Sequence, residues 1–107
     1  MKALTLFEQI ILASIIILKD DAFGISIRKK AKQLFGKNIM YGALYNVLDQ
    51  LHRKGLVTKT RRKPSPSEGG HTRVYYSVTP AGTDALQQAY SLQKSIWAHL
   101  PDFTEGL

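Results

Sequence analysis

The stretch Tyr41–Val57, YGALYNVLDQLHRKGLV, runs directly into TKTRRKPSPSEGGHTRVYY, and these two pieces hold most of the side chains whose spacing could do chemistry. In the first, Leu44, Val47, Leu48 and Leu51 recur at i, i+3, i+4 and i+7, the period of a helix with one buried face. Gly42, Asn46, Asp49 and Arg53 then fall on the opposite side, with Tyr45 on the flank and Tyr41 at the start. A B-form major groove admits such a helix. An Asn46 amide donates and accepts at once, as an adenine edge requires, whereas Asp49 only accepts, which suits a cytosine amino group and repels phosphate. Gly42 permits close approach. In the second piece Arg61, Arg62, Lys63, His71 and Arg73 gather around a turn, cations suited to phosphate oxygens or the minor groove. Lys37 and Asn38, just ahead of the helix, and the basic turn at Lys54-Gly55 extend the same character.

Blander roles compete for some of these residues. Tyr45 can be a packing residue on the helix flank, and Asp49 can pair with Arg53 four residues on across a solvated face. Other chemistry finds no support. There is no nucleophile elbow, phosphate loop or carboxylate pair, so catalysis is not expected. His52, His71 and His99 lack metal-ligand spacing, and no cofactor is expected. Zero cysteines exclude disulfides and thiolate metal sites and fit a reducing cytoplasm.

The charge is unevenly distributed. The chain of 107 residues carries a formal +7, but from Arg28 to Arg73 there are 12 basic residues against only Asp49 and Glu68. The two ends together carry 3 basic and 6 acidic residues, so the polyanion-attracting surface belongs to the middle of the chain.

Elements must position that surface. An apolar run from Ile10 to Leu18, interrupted only by Ser14, follows Lys2 and resembles a signal peptide with Ala22-Phe23-Gly24 as cleavage site. Glu8 and Gln9 break that pattern, and the run is too short to cross a bilayer, so no membrane role is expected. The better reading is a helix over about Leu6–Leu18, apolar nearly all round and covered on more than one side. Asp20-Asp21 offers a cap for a second helix, about Ala22 to Phe35, with Ile27, Ala31 and Leu34 on one face and Gly36 closing it. Strands are expected at Val57–Arg62 and Arg73–Val78, with Val74, Tyr76 and Val78 inward, joined through a tip spanning Lys63–Thr72 that holds two Pro and Gly69-Gly70. Thr79-Pro80 starts a last helix to about Leu100, whose stripe Leu86, Ala89, Tyr90, Ile96, Trp97 and Leu100 exceeds what one small core can cover. The fold class is therefore mainly α with a small β-hairpin (α+β): a winged helix-turn-helix over 1–79 and an added helix and tail over 80–107, in one compact domain.

The same residues resemble the PadR family of bacterial transcriptional regulators. The similarity lies in DAFGISI (Asp21 to Ile27), YGALYNVLDQLHRKGLV (Tyr41 to Val57) and GGHTRVYYSVTPAG (Gly69 to Gly82), in matching order, and spans about Phe7 to Leu86. It follows the family patterns A-Y/F-G-x-x-I, G-x-L-Y-x-x-L-x-x-L-x-x-x-G-L and G-R-x-x-x-Y-Y-x-L-T-x-x-G. Two positions depart. Met40 stands where the family often has a capping Ser or Thr, leaving the cap to Asn38 or water, and His71 replaces the usual Arg. The C-terminal part resembles the short-tailed branch, with one helix instead of a longer helical domain.

The expectation is a sequence-specific regulator that binds double-stranded DNA, a repressor acting as a homodimer on an inverted repeat. Phe7, Ile10 and Ile11 of the first helix and Leu86, Tyr90, Ile96, Trp97 and Leu100 of the last are the candidate dimer interface. The resemblance implies the same dimer, and it makes a small apolar effector near Trp97 conceivable, although Trp97 reads first as a dimer-core residue. Two other classes remain: a non-specific RNA-binding or architectural protein, and a protein-interaction module using the apolar terminal helices.

Overall fold

The computed structural model describes residues 3–63 and 72–101. Its elements run α1 (Leu6–Leu18), α2 (Gly24–Phe35), α3 (Tyr41–Arg53), β1 (Val57–Arg62), β2 (Arg73–Val78) and α4 (Pro80–His99), with a short 3-10 turn at Lys19–Asp21 after α1. The hairpin tip between Lys63 and Thr72, including His71, lies outside the described residues.

Each helix begins for a local reason. Thr5 caps α1: its hydroxyl accepts from the Glu8 N–H at 3.1 Å while the Glu8 carboxylate accepts from the Thr5 N–H at 2.9 Å, a reciprocal capping box. Thr79 caps α4 in the same manner, accepting from the Gly82 N–H at 3.1 Å ahead of Pro80. The start of α2 differs from the expected one. Asp20 and Asp21 lie in the 3-10 turn and cap nothing; the helix begins at Gly24, and its Ser26 hydroxyl accepts from the Phe23 N–H at 3.0 Å. Ala22 and Phe23 are instead extended, because they join the sheet. The Tyr76 N–H donates to the Ala22 carbonyl at 2.8 Å, and Phe23 bridges to Tyr75.

The core sits where α1, α2, α3 and the hairpin converge. Ile11, Leu12 and Ile15 of α1 meet Ile27 and Ala31 of α2, Leu44, Leu48 and Leu51 of α3, and Val57 and Tyr76 of the strands. Ser14, the break in the apolar run, is buried and donates to the Ile10 carbonyl at 2.7 Å, so its hydroxyl adds no unsatisfied group. Leu34 does not share the buried face of Ile27 and Ala31; it is exposed near the end of α2. Gly36 ends that helix with φ 79°, the left-handed conformation that glycine adopts without a Cβ penalty.

β1 and β2 pair antiparallel, Val57 opposite Val78 and Arg62 opposite Arg73. The register sorts the side chains by face. Val57, Lys59, Arg61, Val74, Tyr76 and Val78 share one, and Thr58, Thr60, Arg62, Arg73, Tyr75 and Ser77 share the other. The first face carries buried Val57 and Tyr76, so it is the side turned to the core and α3.

α4 packs only by its first half. Gly82 and Ala85 are buried and Leu86 and Ala89 half-buried, whereas every residue from Ser91 to Leu100 is exposed. The helix thereby stretches the molecule to 55 × 31 × 22 Å.

Candidate nucleic-acid interface

The turn from α2 to α3 is short and held at two points. Ile39 is buried, and the Arg28 guanidinium donates to the Ile39 carbonyl while lying 4.4 Å from the centre of the Tyr41 ring. Tyr41 in turn stacks on Tyr45, ring centres 6.3 Å apart. The Tyr45 hydroxyl reaches the Cα side of Gly24, where any Cβ would collide with it. An arginine, two aromatic rings and a glycine thus lock the angle between the two helices.

On α3, Leu44, Leu48 and Leu51 are buried, and Tyr41, Gly42, Tyr45 and Asn46 are exposed together on the other side. A Cβ at Gly42 would meet nothing within 4 Å, so this side presents open backbone. Tyr45 is both packed and exposed: it contacts Tyr41 and Gly24 yet keeps about half its surface in solvent. Asp49 pairs with Arg53 at 2.9 Å, the intrahelical pairing that competed with a base-reading role for it. Burial raises the Tyr76 hydroxyl above its ordinary pKa, helped by Tyr45 and Asp49 nearby, so this phenol at the α3–hairpin junction stays protonated.

The basic residues around this face are not equivalent. Lys37 and Asn38 are exposed in the turn, with the Lys37 ammonium 5.6 Å from the Phe35 ring. Arg61 and Lys63 are exposed, and Arg61 lies on the hairpin face that carries Tyr76, alongside Lys59. Arg62 is on the other face and folds back: its guanidinium lies 3.7 Å from the centre of the Tyr75 ring and donates to the Asp20 carbonyl. Arg73 lies 4.4 Å from the Phe23 ring, and Phe23 and Tyr75 meet edge to face at 5.5 Å. Two arginines and two rings therefore fasten the tip-side end of the paired strands to the segment before α2. One open groove, lined by Phe23, Gly24, Ile25, Tyr45, Thr72 and Arg73, joins the flank of α3 to the start of β2.

Two basic residues behave otherwise than their sequence positions imply. Lys54, at the end of α3, does not contribute an unpaired positive charge to the surface, because its ammonium lies 2.6 Å from the buried Glu8 carboxylate. Lys59, which the sequence pattern does not single out, stands beside Arg61 on the hairpin face that carries Tyr76. Its signal was its strand parity with Arg61, which becomes informative only once the register is known. Among the described residues there is no cluster of three or more potential metal ligands, and no helix is long and apolar enough to cross a membrane.

A family model described as "Transcriptional regulator PadR-like family" matches residues 11–88. The chain belongs to the PadR-like family. Among solved structures, RosR of H. salinarum is 27% identical, with 92% of this chain and 82% of that one covered and a TM-score of 0.68. A PadR family transcription regulator from Clostridium difficile R20291 is 26% identical over 86% of this chain and 92% of that one, at a TM-score of 0.66. A PadR-like transcriptional regulator from Bacillus cereus shares the fold at a TM-score of 0.72, with 21% identity over 94% of this chain and 92% of that one. No match was found among curated proteins. The matching family and the Clostridium difficile relative are described as transcriptional regulators, and this chain has their winged-helix fold.

The candidate dimer residues divide within this PadR-like fold. Tyr90, Ile96 and Trp97 of α4 and its C-cap Leu100 are exposed, and Leu86 is half-buried against the core. On α1, Ile11 is fully buried within the chain's own core, and Phe7 and Ile10 are half-buried. The large apolar residues of α1 that are exposed are Leu6, Ile16 and Ile17. A helix apolar nearly all round offers no periodic contrast from which to tell these two sets apart.

Proposed function

We propose that the protein is a sequence-specific regulator that binds double-stranded DNA as a homodimer on an inverted repeat, acting as a repressor where that repeat overlaps a promoter. The observation that carries the reading is the juxtaposition of an uncovered polar side of α3 with the cationic hairpin face. Tyr41, Gly42, Tyr45 and Asn46 are exposed together, and Lys59 and Arg61 stand on the hairpin side turned towards α3. A helix of this kind fits a major groove, and cations beside it fit the flanking phosphates. The excess of 12 basic over 2 acidic residues between Arg28 and Arg73 supplies the attraction.

One winged helix buries too little DNA for the usual specific affinity, so a pair is needed. The exposed end of α4 supports that pairing, since Tyr90, Ile96, Trp97 and Leu100 all present apolar surface to solvent. Two-fold symmetry then sets the half-sites about 34–36 Å apart, one DNA turn, or a multiple of it.

Selection of bound sites from random duplexes, followed by a salt series on the winner, tests the proposal. The selected site should be an inverted repeat. A dimer that contacts roughly 6 to 8 phosphates should show a log–log salt slope of about −5 to −7. Salt-sensitive binding with no preferred sequence would identify a non-specific nucleic-acid binder instead. A slope near zero would sink the DNA reading altogether.

A further inference from the structure

We infer that Met40 is a specificity-determining residue that reads a thymine through its C5-methyl group. The inference rests on the proposed entry of α3 into the major groove. Met40 is the residue at which that helix starts: its carbonyl accepts the Leu44 N–H at 3.0 Å, and its own backbone is extended at φ −70° and ψ 142°. Side chains favoured at this position are short and polar, because they accept an N–H of the first turn. Met40 makes no such bond.

The side chain is also not used for packing. Met40 is 79% exposed, the most exposed large apolar residue among those described. Its neighbours turn elsewhere, Ile39 into the core and Tyr41 beneath the Arg28 guanidinium. Lys37 and Asn38, on its N-terminal side, are exposed polar residues. A long thioether therefore stands at the leading end of the helix, in the place where a cap would have served folding better.

The groove chemistry supplies a partner. The N-terminal residues of a recognition helix are those that meet base edges. Of the groups presented on the major-groove floor, the thymine C5-methyl is the apolar one. Methionine, unbranched and polarizable, conforms to such a small irregular target. Burying it there removes apolar surface from water on both partners, which solvent exposure never does.

Replacing thymine by uracil one position at a time in the selected duplex deletes that methyl and nothing else. At one thymine per half-site the wild type should lose about fourfold in affinity, the value of burying one methyl-sized group. Met40→Ser should be indifferent to uracil there while keeping its discrimination at the other positions. Met40→Ala gives the same comparison should the Ser variant fold poorly. The inference is overturned if uracil is tolerated at every position, if Met40→Ser keeps the loss, or if the selected site needs no thymine. A wild type that binds all duplexes alike overturns the DNA-reading proposal itself, whereas one that selects a site yet ignores thymine methyls overturns only the role of Met40.

Discussion

Lys54 Nζ lies 2.6 Å from the Glu8 carboxylate, which ties the last turn of α3 to the first turn of α1 across 46 residues of sequence. Glu8 is almost fully buried, whereas nearly half of the Lys54 side chain reaches solvent. Burial alone would raise the carboxyl's pKa, but the Lys54 ammonium and the Thr5 hydrogen bonds outweigh it and hold the value below the ordinary 4.5. A pair of this kind fixes α3, the helix proposed to read DNA, to α1, a helix proposed to meet a second copy of the chain.

Stability should therefore carry an acid limb due to Glu8. A folded-state pKa below the unfolded one contributes stability that is present above the unfolded value and is lost as pH falls through the folded one. The loss should begin below about 4.5. Glu8→Gln, which keeps an acceptor for Thr5 but not the charge, should cost about 1–3 kcal/mol near neutral pH and flatten that limb. Denaturant titrations of both proteins between neutral pH and acid check this; an identical acid limb in the variant would assign it to other carboxylates.

What the sequence made legible, and what it hid, follows from the range of the contacts involved. The α3 pattern at Leu44, Leu48 and Leu51, the Thr79-Pro80 start and the Gly36 stop are local signals, and each element appears where they place it. The beginning of α2 is not local. Asp20-Asp21 has capping chemistry, but Ala22 and Phe23 bond to Tyr76 and Tyr75 in the hairpin, and that pairing delays the helix to Gly24. The same limit applies to the candidate site. Helical spacing alone grouped Gly42, Asn46 and Asp49 on one side of α3, whereas the fate of each cation depended on distant partners: Glu8 for Lys54, Tyr75 for Arg62.

Arg61 and Arg62, adjacent in sequence, should behave differently. Arg61 faces the α3 side of the hairpin, so Arg61→Ala should weaken binding to all duplexes alike and make the salt slope shallower by about 1 per protomer contact. Arg62 is engaged with Tyr75 and Asp20 on the other face, and Arg62→Ala should cost about 1 kcal/mol of stability through the lost cation–π contact. Salt titrations and melting curves on both variants separate the two roles. Equal slopes and equal melting temperatures would show that the register does not sort them.

Asn46 should act on sequence choice alone. It is exposed on α3 between the Tyr45 flank and Val47, with no role in the core. Asn46→Ala should cost about 1–3 kcal/mol on the selected site and little on unrelated duplexes. Equal loss on every duplex would remove the base-reading role.

Two glycines should tell packing from positioning. At Gly82 a Cβ would run into the Leu56 carbonyl oxygen and a Val78 methyl, both fixed by the hairpin, so Gly82→Ala should destabilise by about 1–3 kcal/mol. At Gly24 the obstacle is the far end of the Tyr45 side chain, which can swing away. Gly24→Ala should leave the melting temperature nearly unchanged, since alanine also improves helix propensity. It should nevertheless weaken specific DNA binding, because the displaced Tyr45 ring belongs to the Arg28–Tyr41–Tyr45 stack. Thermal melts paired with binding to the selected site resolve this, and a Gly24→Ala protein with wild-type affinity would show that Tyr45 does not set the reading geometry.

Assembly is the remaining part of the proposed palindromic recognition. Every residue from Ser91 to His99 in the second half of α4, and the Leu100 that caps it, is exposed, although Leu92, Ile96, Trp97 and Leu100 are among them. A solvated helix end has no reason to carry such a stripe, while a two-fold partner would cover it together with Leu6, Ile16 and Ile17 of α1. Trp97 has the largest side chain in the stripe, and large aromatic residues are the usual anchors of interfaces. Sedimentation at micromolar concentration should therefore find a dimer. Trp97→Ala should weaken its association by roughly 2–4 kcal/mol, and binding to the full inverted repeat should fall while contact with a single half-site persists weakly. A wild-type monomer at that concentration, binding one half-site with full specificity, would refute both the dimer and the palindrome.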